Sequence, residues 1–170
     1  RVLGFSLRPS MVTMKPLVLG LGNDILADDA AGVLAVRAIR EQWGDCVDAV
    51  ECAVSGIALL DYLMDYKQAI ILDAIRTGQH PPGTVLELDP AALGPVLAPS
   101  PHYAGLPEIL VLAKELELTI PEEIKIFAME VADPYTVGGE MSGAVRQAIP
   151  ALVDRVERQL REWKAGGTHA

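Results

Sequence analysis

At 170 residues, 51% of them hydrophobic, the chain is long enough for one domain with a substantial core and too short for two of ordinary size. A net charge of -9 and a pI near 4.7 argue against a nucleic-acid or anionic-membrane surface, because both need clustered Lys and Arg; basic or metal-bearing protein partners fit better. Cys46 and Cys52 are the only thiols and lack CxxC spacing, which disfavours a disulfide framework or structural zinc and points to a reducing cytoplasm.

No apolar run reaches membrane-spanning length, and RVLGFSLRPSMVT at residues 1–13 lacks the order of a signal peptide. We read it as a flexible extension ahead of a start at Met11 or Met14. The domain is expected over 14–165, with 166–170 as a flexible tail.

Residues 17–33 read LVLGLGNDILADDAAGV. Leu17–Leu21 is a continuous apolar run, the look of a central strand covered on both faces. Gly20-Leu21-Gly22-Asn23 makes a turn, braced by Asn23, and Asp28 and Asp29 open an Ala-rich helix from Ala30 to Arg40. Either acid can cap that helix, with Asp28 the preferred cap. Carboxylates at a helix mouth repel phosphate, which such a turn would otherwise attract, so they suit a metal ion or a cationic or metal-loaded partner.

Val47–Cys52 reads as the second strand, followed by a helix capped by Ser55 and carrying Ile57, Leu59, Leu60, Leu63 and Met64. Ala69–Leu72 is the third strand, stopping at Asp73. The ten residues between Asp73 and Thr84 are too few for a parallel crossover, so Val85–Leu88 should run antiparallel. A Pro-, Ala- and Gly-rich loop from Pro90 to Pro101 leads to His102, and Leu106–Leu118 is helical. Ile124–Val131 is the fifth strand, and Met141–Trp163 the longest helix, with Ser142 as cap and Pro150 tolerable only near a start or as a kink. This order predicts an α/β three-layer sandwich: a five-stranded mixed, mostly parallel sheet with helices on both faces.

Ligands of such sheets bind beyond the carboxyl ends of the strands, the edge that receives both Asp29 and Asp73. Of the three histidines, His80 sits in a turn and His169 in the tail; a loop can bring only His102 over that edge. Two carboxylates and an imidazole suit borderline divalent metals such as nickel or zinc and leave coordination positions open. Glu51 and Glu130, near the ends of strands two and five, are further candidates, although each can equally be a solvated strand terminus. Ser55, Ser100 and Ser142 lie in no G-x-S-x-G elbow, which argues against a serine hydrolase. Cys46 and Cys52 fall in or beside a buried strand, where thiols are usually inert packing.

GLGNDILADDAAG, the strand ending Ile70-Ile71-Leu72-Asp73-Ala74, His102-Tyr103-Ala104-Gly105-Leu106-Pro107-Glu108-Ile109-Leu110, and Gly138-Gly139-Glu140-Met141-Ser142-Gly143-Ala144-Val145 together resemble the nickel-iron hydrogenase maturation endopeptidases. The resemblance spans Leu17 to about Leu160. It implies an aspartyl-type endopeptidase that removes the C-terminal extension of a hydrogenase large-subunit precursor once nickel is in place. The family's metal-contacting acid, acid and imidazole carry over to Asp29, Asp73 and His102, with nickel brought by the substrate and no organic cofactor. The family's glycine soon after the acidic pair is replaced by Ala30, with Gly32 nearby. Two other readings compete: a flavodoxin-like nucleotide or small-molecule module, supported by Gly20-x-Gly22 but weakened because Ile25 stands where G-x-G-x-x-G needs its third glycine and because the acids oppose a pyrophosphate, and a non-catalytic maturation chaperone, which uses the same residues.

Overall fold

The computed structural model describes residues 12–90 and 106–166. Five strands, β1 (Leu17–Leu21), β2 (Asp48–Cys52), β3 (Gln68–Ile75), β4 (Val85–Leu88) and β5 (Glu123–Glu130), form one sheet in the order β2-β1-β3-β5-β4. β1 pairs in parallel with β2 and β3, and β3 in parallel with β5. β4 runs antiparallel on the outer side of β5, as its short connection to β3 requires. The helices are α1 (Ala31–Trp43), α2 (Leu59–Leu63), α3 (Leu106–Glu115) and α4 (Gly143–Gly166). None of the described helices is long and apolar enough to cross a membrane.

Strand periodicity sorts the core into two halves. Val18, Ile70, Leu72, Phe127 and Met129 face α1 and α4, meeting Ala35, Val36 and Ile39 of α1 and Leu152, Val153, Val156 and Leu160 of α4. The alternate positions Leu17, Leu19, Leu21, Ala69, Ile71, Ile75, Ile126 and Ala128 pack against Leu59, Leu63 and Leu106 of α2 and α3. A strand wedged between two helical layers has no wet side, which is why β1 and the Ala69–Leu72 stretch of β3 read as unbroken apolar runs. Each large aliphatic side chain so buried contributes about 1.5–3 kcal/mol.

α1 lies unusually close to the sheet. A Cβ on Gly32 would stand 2.5 Å from the Leu21 carbonyl oxygen and 2.7 Å from that of Leu72, and one on Gly20 would stand 2.5 Å from the Gly32 oxygen. Only glycine on both surfaces lets the first turn of α1 settle over the ends of β1 and β3.

Several sequence expectations need correction. β3 does not stop at Asp73; it continues to Ile75, with Asp73 opposite Ala128 of β5. Ser55 makes no side-chain cap bond, and α2 is a single short turn led in by a 3-10 turn over Gly56–Ala58. Neither Asp28 nor Asp29 caps α1: the chain enters it through a 3-10 turn over Asp28–Ala30, with no side-chain cap bond at either element. Cys46 is exposed in a 3-10 turn before β2, whereas Cys52 is buried. Pro150 lies inside α4 at a solvent-exposed position. The expectations for residues 1–11, for most of the Pro90–Pro101 loop and for 167–170 fall outside the described residues.

Candidate active site

β1 leads through α1 outward to β2, and the chain then crosses back through α2 to β3. Connections therefore diverge between β1 and β3, opening a crevice at their carboxyl ends, where α/β sheets bind ligands. The loop after β1 and the last residues of β3 flank that crevice.

Asp29 sits in the 3-10 turn on the β1 side, and this turn packs directly against β3. Its carboxylate oxygen Oδ2 accepts the Asn23 backbone N–H at 2.7 Å, and Asn23 Oδ1 in turn accepts the Ile25 N–H at 3.1 Å. The loop thus holds its own acid in place, and Asn23 braces the turn as expected. Gly22 enables the contact: its φ is +131, and a Cβ there would stand 2.1 Å from the Asp29 carbonyl oxygen.

Asp73 is fully buried within β3, its Oδ1 accepting the Ala74 N–H at 2.8 Å. It shares strand parity with Ile71 and Ile75, which places it on the α2/α3 side of the sheet. Cys52 lies on that side too; burial, above all, pushes its thiol pKa up, and the Asp73 charge acts in the same direction. Asp29 and Asp73 therefore belong to two segments that pack against each other at the carboxyl edge of the sheet. His102 lies outside the described residues. Among the described residues no group of three or more His, Cys, Asp or Glu could hold a metal ion.

The other candidate acids are committed elsewhere. Asp28, with no exposed surface, reaches away from α1 and accepts the N–H groups of Ala132 (3.1 Å), Asp133 (2.9 Å) and Ser142 (2.7 Å), as well as the Ser142 hydroxyl at 2.6 Å. It ties the β1–α1 loop to the β5–α4 loop. Glu130 is 1% exposed, which corrects its reading as a solvated terminus: it accepts Thr77 N–H (2.7 Å), Thr77 Oγ1 (2.5 Å) and Gly78 N–H (2.8 Å) and so holds the segment leaving β3. Glu51 is gripped by Arg37 at 2.7 Å and Arg40 at 2.9 Å, and these guanidiniums, Arg37 first, hold its carboxyl below the usual range. Glu51 also lines a cavity of about 230 Å³ with Gly22, Asn23, Asp24 and Cys52. Sequence reading named Asp28, Glu130 and Ser142 but not these partnerships. They span as many as 114 residues of chain, and no local pattern reports them.

The chain is similar to known proteins in sequence and in fold. A family model described as hydrogenase maturation protease matches residues 34–159. The chain is 33% identical over 153 residues to a hydrogenase expression/formation protein of Rhizobium leguminosarum bv. viciae, covering 86% of this chain and 74% of that protein. It is 29% identical over 150 residues to the hydrogenase 2 maturation protease of Escherichia coli K12, covering 82% and 91%. Among solved structures, the hydrogenase maturating endopeptidase HybD of E. coli aligns with a TM-score of 0.73 at 28% identity, over 88% of this chain and 93% of that one.

Proposed function

The chain belongs to the hydrogenase maturation protease family, and on that premise we propose that it is the endopeptidase that trims the C-terminal extension from a nickel-iron hydrogenase large-subunit precursor after nickel insertion. What supports this reading is that the turn after β1 carrying Asp29 packs against β3, the strand that carries Asp73 near its carboxyl end. With His102, these residues supply two oxygen donors and one imidazole nitrogen. Such a set under-fills the coordination shell of a borderline divalent ion, so it can dock on nickel that the precursor already holds.

In this reading the metal belongs to the substrate. Asp29, Asp73 and His102 recognise it and thereby position the adjacent peptide bond at the crevice. Positioning by fixed groups is a large share of catalysis, and an error of about an ångström costs on the order of 10²-fold in rate. The bond from the Asn23 N–H to Asp29 serves that fixing. Two free cysteines, one of them exposed, fit action in a reducing compartment such as the cytoplasm.

The test is incubation with nickel-loaded and nickel-free precursors, followed by intact mass measurement. We expect loss of the C-terminal extension from the loaded form alone, and at least a 10²-fold lower rate for Asp29→Ala, Asp73→Ala and His102→Ala. Equal processing of both precursors would remove nickel recognition while keeping the protease. Wild-type rates in all three variants would remove the site.

A further inference from the structure

The loops after β1 and β5 are zipped together at the rim of the crevice. Leu26 bridges Val137 in antiparallel fashion, the Gly138 N–H donates to the Ile25 carbonyl at 2.7 Å, and the Ala27 N–H donates to that of Thr136 at 3.0 Å. Asp28 fastens the pair from beneath through Ala132, Asp133 and Ser142. The Asp133 carboxylate sets the far loop by accepting the N–H groups of Tyr135 and Thr136 and the Thr136 hydroxyl. Backbone bonds, the buried Asp28 and the Asp133 carboxylate thus define the conformation of both loops.

On this rigid mount stand three large apolar side chains that the fold leaves in solvent: Ile25 at 58%, Tyr135 at 68% and Val137 at 72% exposure. Arg76, just past β3, lies over the Tyr135 ring at 5.9 Å. Single exposed apolar residues are commonplace. Three on two loops that share a backbone ladder, one of which leads into Asp29, call for a partner.

We propose that this loop pair is the docking platform for the folded body of the hydrogenase precursor, with Ile25, Tyr135 and Val137 as its apolar anchors. The proposal rests on the function given above and names where the substrate is gripped. The occupant follows from continuity: Ile25 belongs to the loop that ends in Asp29, so a protein that delivers its metal to Asp29 must cover Ile25 and the strand-like segment bridged to it. Aliphatic and aromatic anchors on pre-ordered backbone are what an interface needs, because little entropy is lost on contact. Recognition of the precursor body is thereby separate from recognition of its metal.

The test compares wild type, Ile25→Ser/Val137→Ser and Tyr135→Ser with nickel-loaded precursor, by calorimetric titration and by steady-state cleavage. Leu116→Ser, an exposed apolar site beyond the end of α3, is the control. We expect Kd and KM to rise at least tenfold in the platform variants, with kcat moving far less, the urea unfolding midpoint unchanged, and the control matching wild type. Kd and KM within twofold of wild type would overturn the proposal, as would a fall in kcat at constant KM. A dimer of the protein alone that the double variant dissolves would assign the surface to a second copy and also overturn it. If wild type binds the precursor and leaves its mass unchanged, the peptidase assignment fails, while the platform is still judged by Kd.

Discussion

At the residue scale, adjacent acids take opposite parts. Asp29 accepts the Asn23 N–H from its own loop, whereas Asp28 accepts four donors from a distant loop. Truncating Asp28 would leave several part-buried donors without their acceptor, and a lost buried partner costs about 1–3 kcal/mol. Asp28→Ala should therefore lose about 3 kcal/mol, read as a lower urea midpoint at unchanged slope. Asp28→Asn should fall between, since its amide keeps one accepting oxygen but turns an NH2 toward the remaining donors. Gly22→Ala tests Asp29 from the other side. The new methyl would collide with the Asp29 carbonyl at a backbone φ that L residues rarely adopt. We expect cleavage to drop by on the order of 10²-fold, as measured by precursor mass loss, in a protein that remains folded by circular dichroism.

At the element scale, Glu51 clamps β2 to α1 through Arg37 and Arg40, and Arg37 also reaches Asp24 in the active loop. The lowered Glu51 pKa sets the sign of its pH dependence: the clamp contributes fully above the ordinary value of 4.5 and is lost as pH falls through the lowered folded value. Glu51 is about a third exposed, so solvent screens the pair and the contribution is about 0.5–1 kcal/mol. The stability difference between wild type and Glu51→Gln should hold steady from neutral pH down to about 5 and shrink below that, in urea titrations across the range. The opposite trend would mean that Glu51 is not paired as an anion.

At the scale of the whole molecule, three layers must seat on one another, and the tightest seat is α1 on the ends of β1 and β3. Gly32→Ala would press a methyl against two backbone carbonyls that have no rotamer with which to yield. It should cost about 1–3 kcal/mol by overpacking and lower the thermal midpoint accordingly. Because the displaced turn carries Asp29, cleavage should fall as well. A fully active, equally stable Gly32→Ala protein would refute the close approach on which the crevice depends.

Much of this was legible along the chain. The apolar runs of β1 and β3, the antiparallel return of β4 and the helical periodicity of α1, α3 and α4 follow from local chemistry, because burial on both faces and short connections leave marks in consecutive residues. The acids at the helix mouth are conspicuous too, because phosphate would ordinarily bind there. What only the tertiary structure decided were the assignments between chain-distant groups. Asp28 reads as a cap for its own helix until the β5–α4 loop brings Ser142 within reach. Glu130 reads as a wet strand end until the segment after β3 folds over it. Asp73 reads as the end of its strand until pairing with β5 prolongs the ladder. A sequence reports the environment that its neighbours impose, so strands and turns declare themselves. The partner of a buried carboxylate is set by which strands lie side by side, and that order exists only once the sheet has formed.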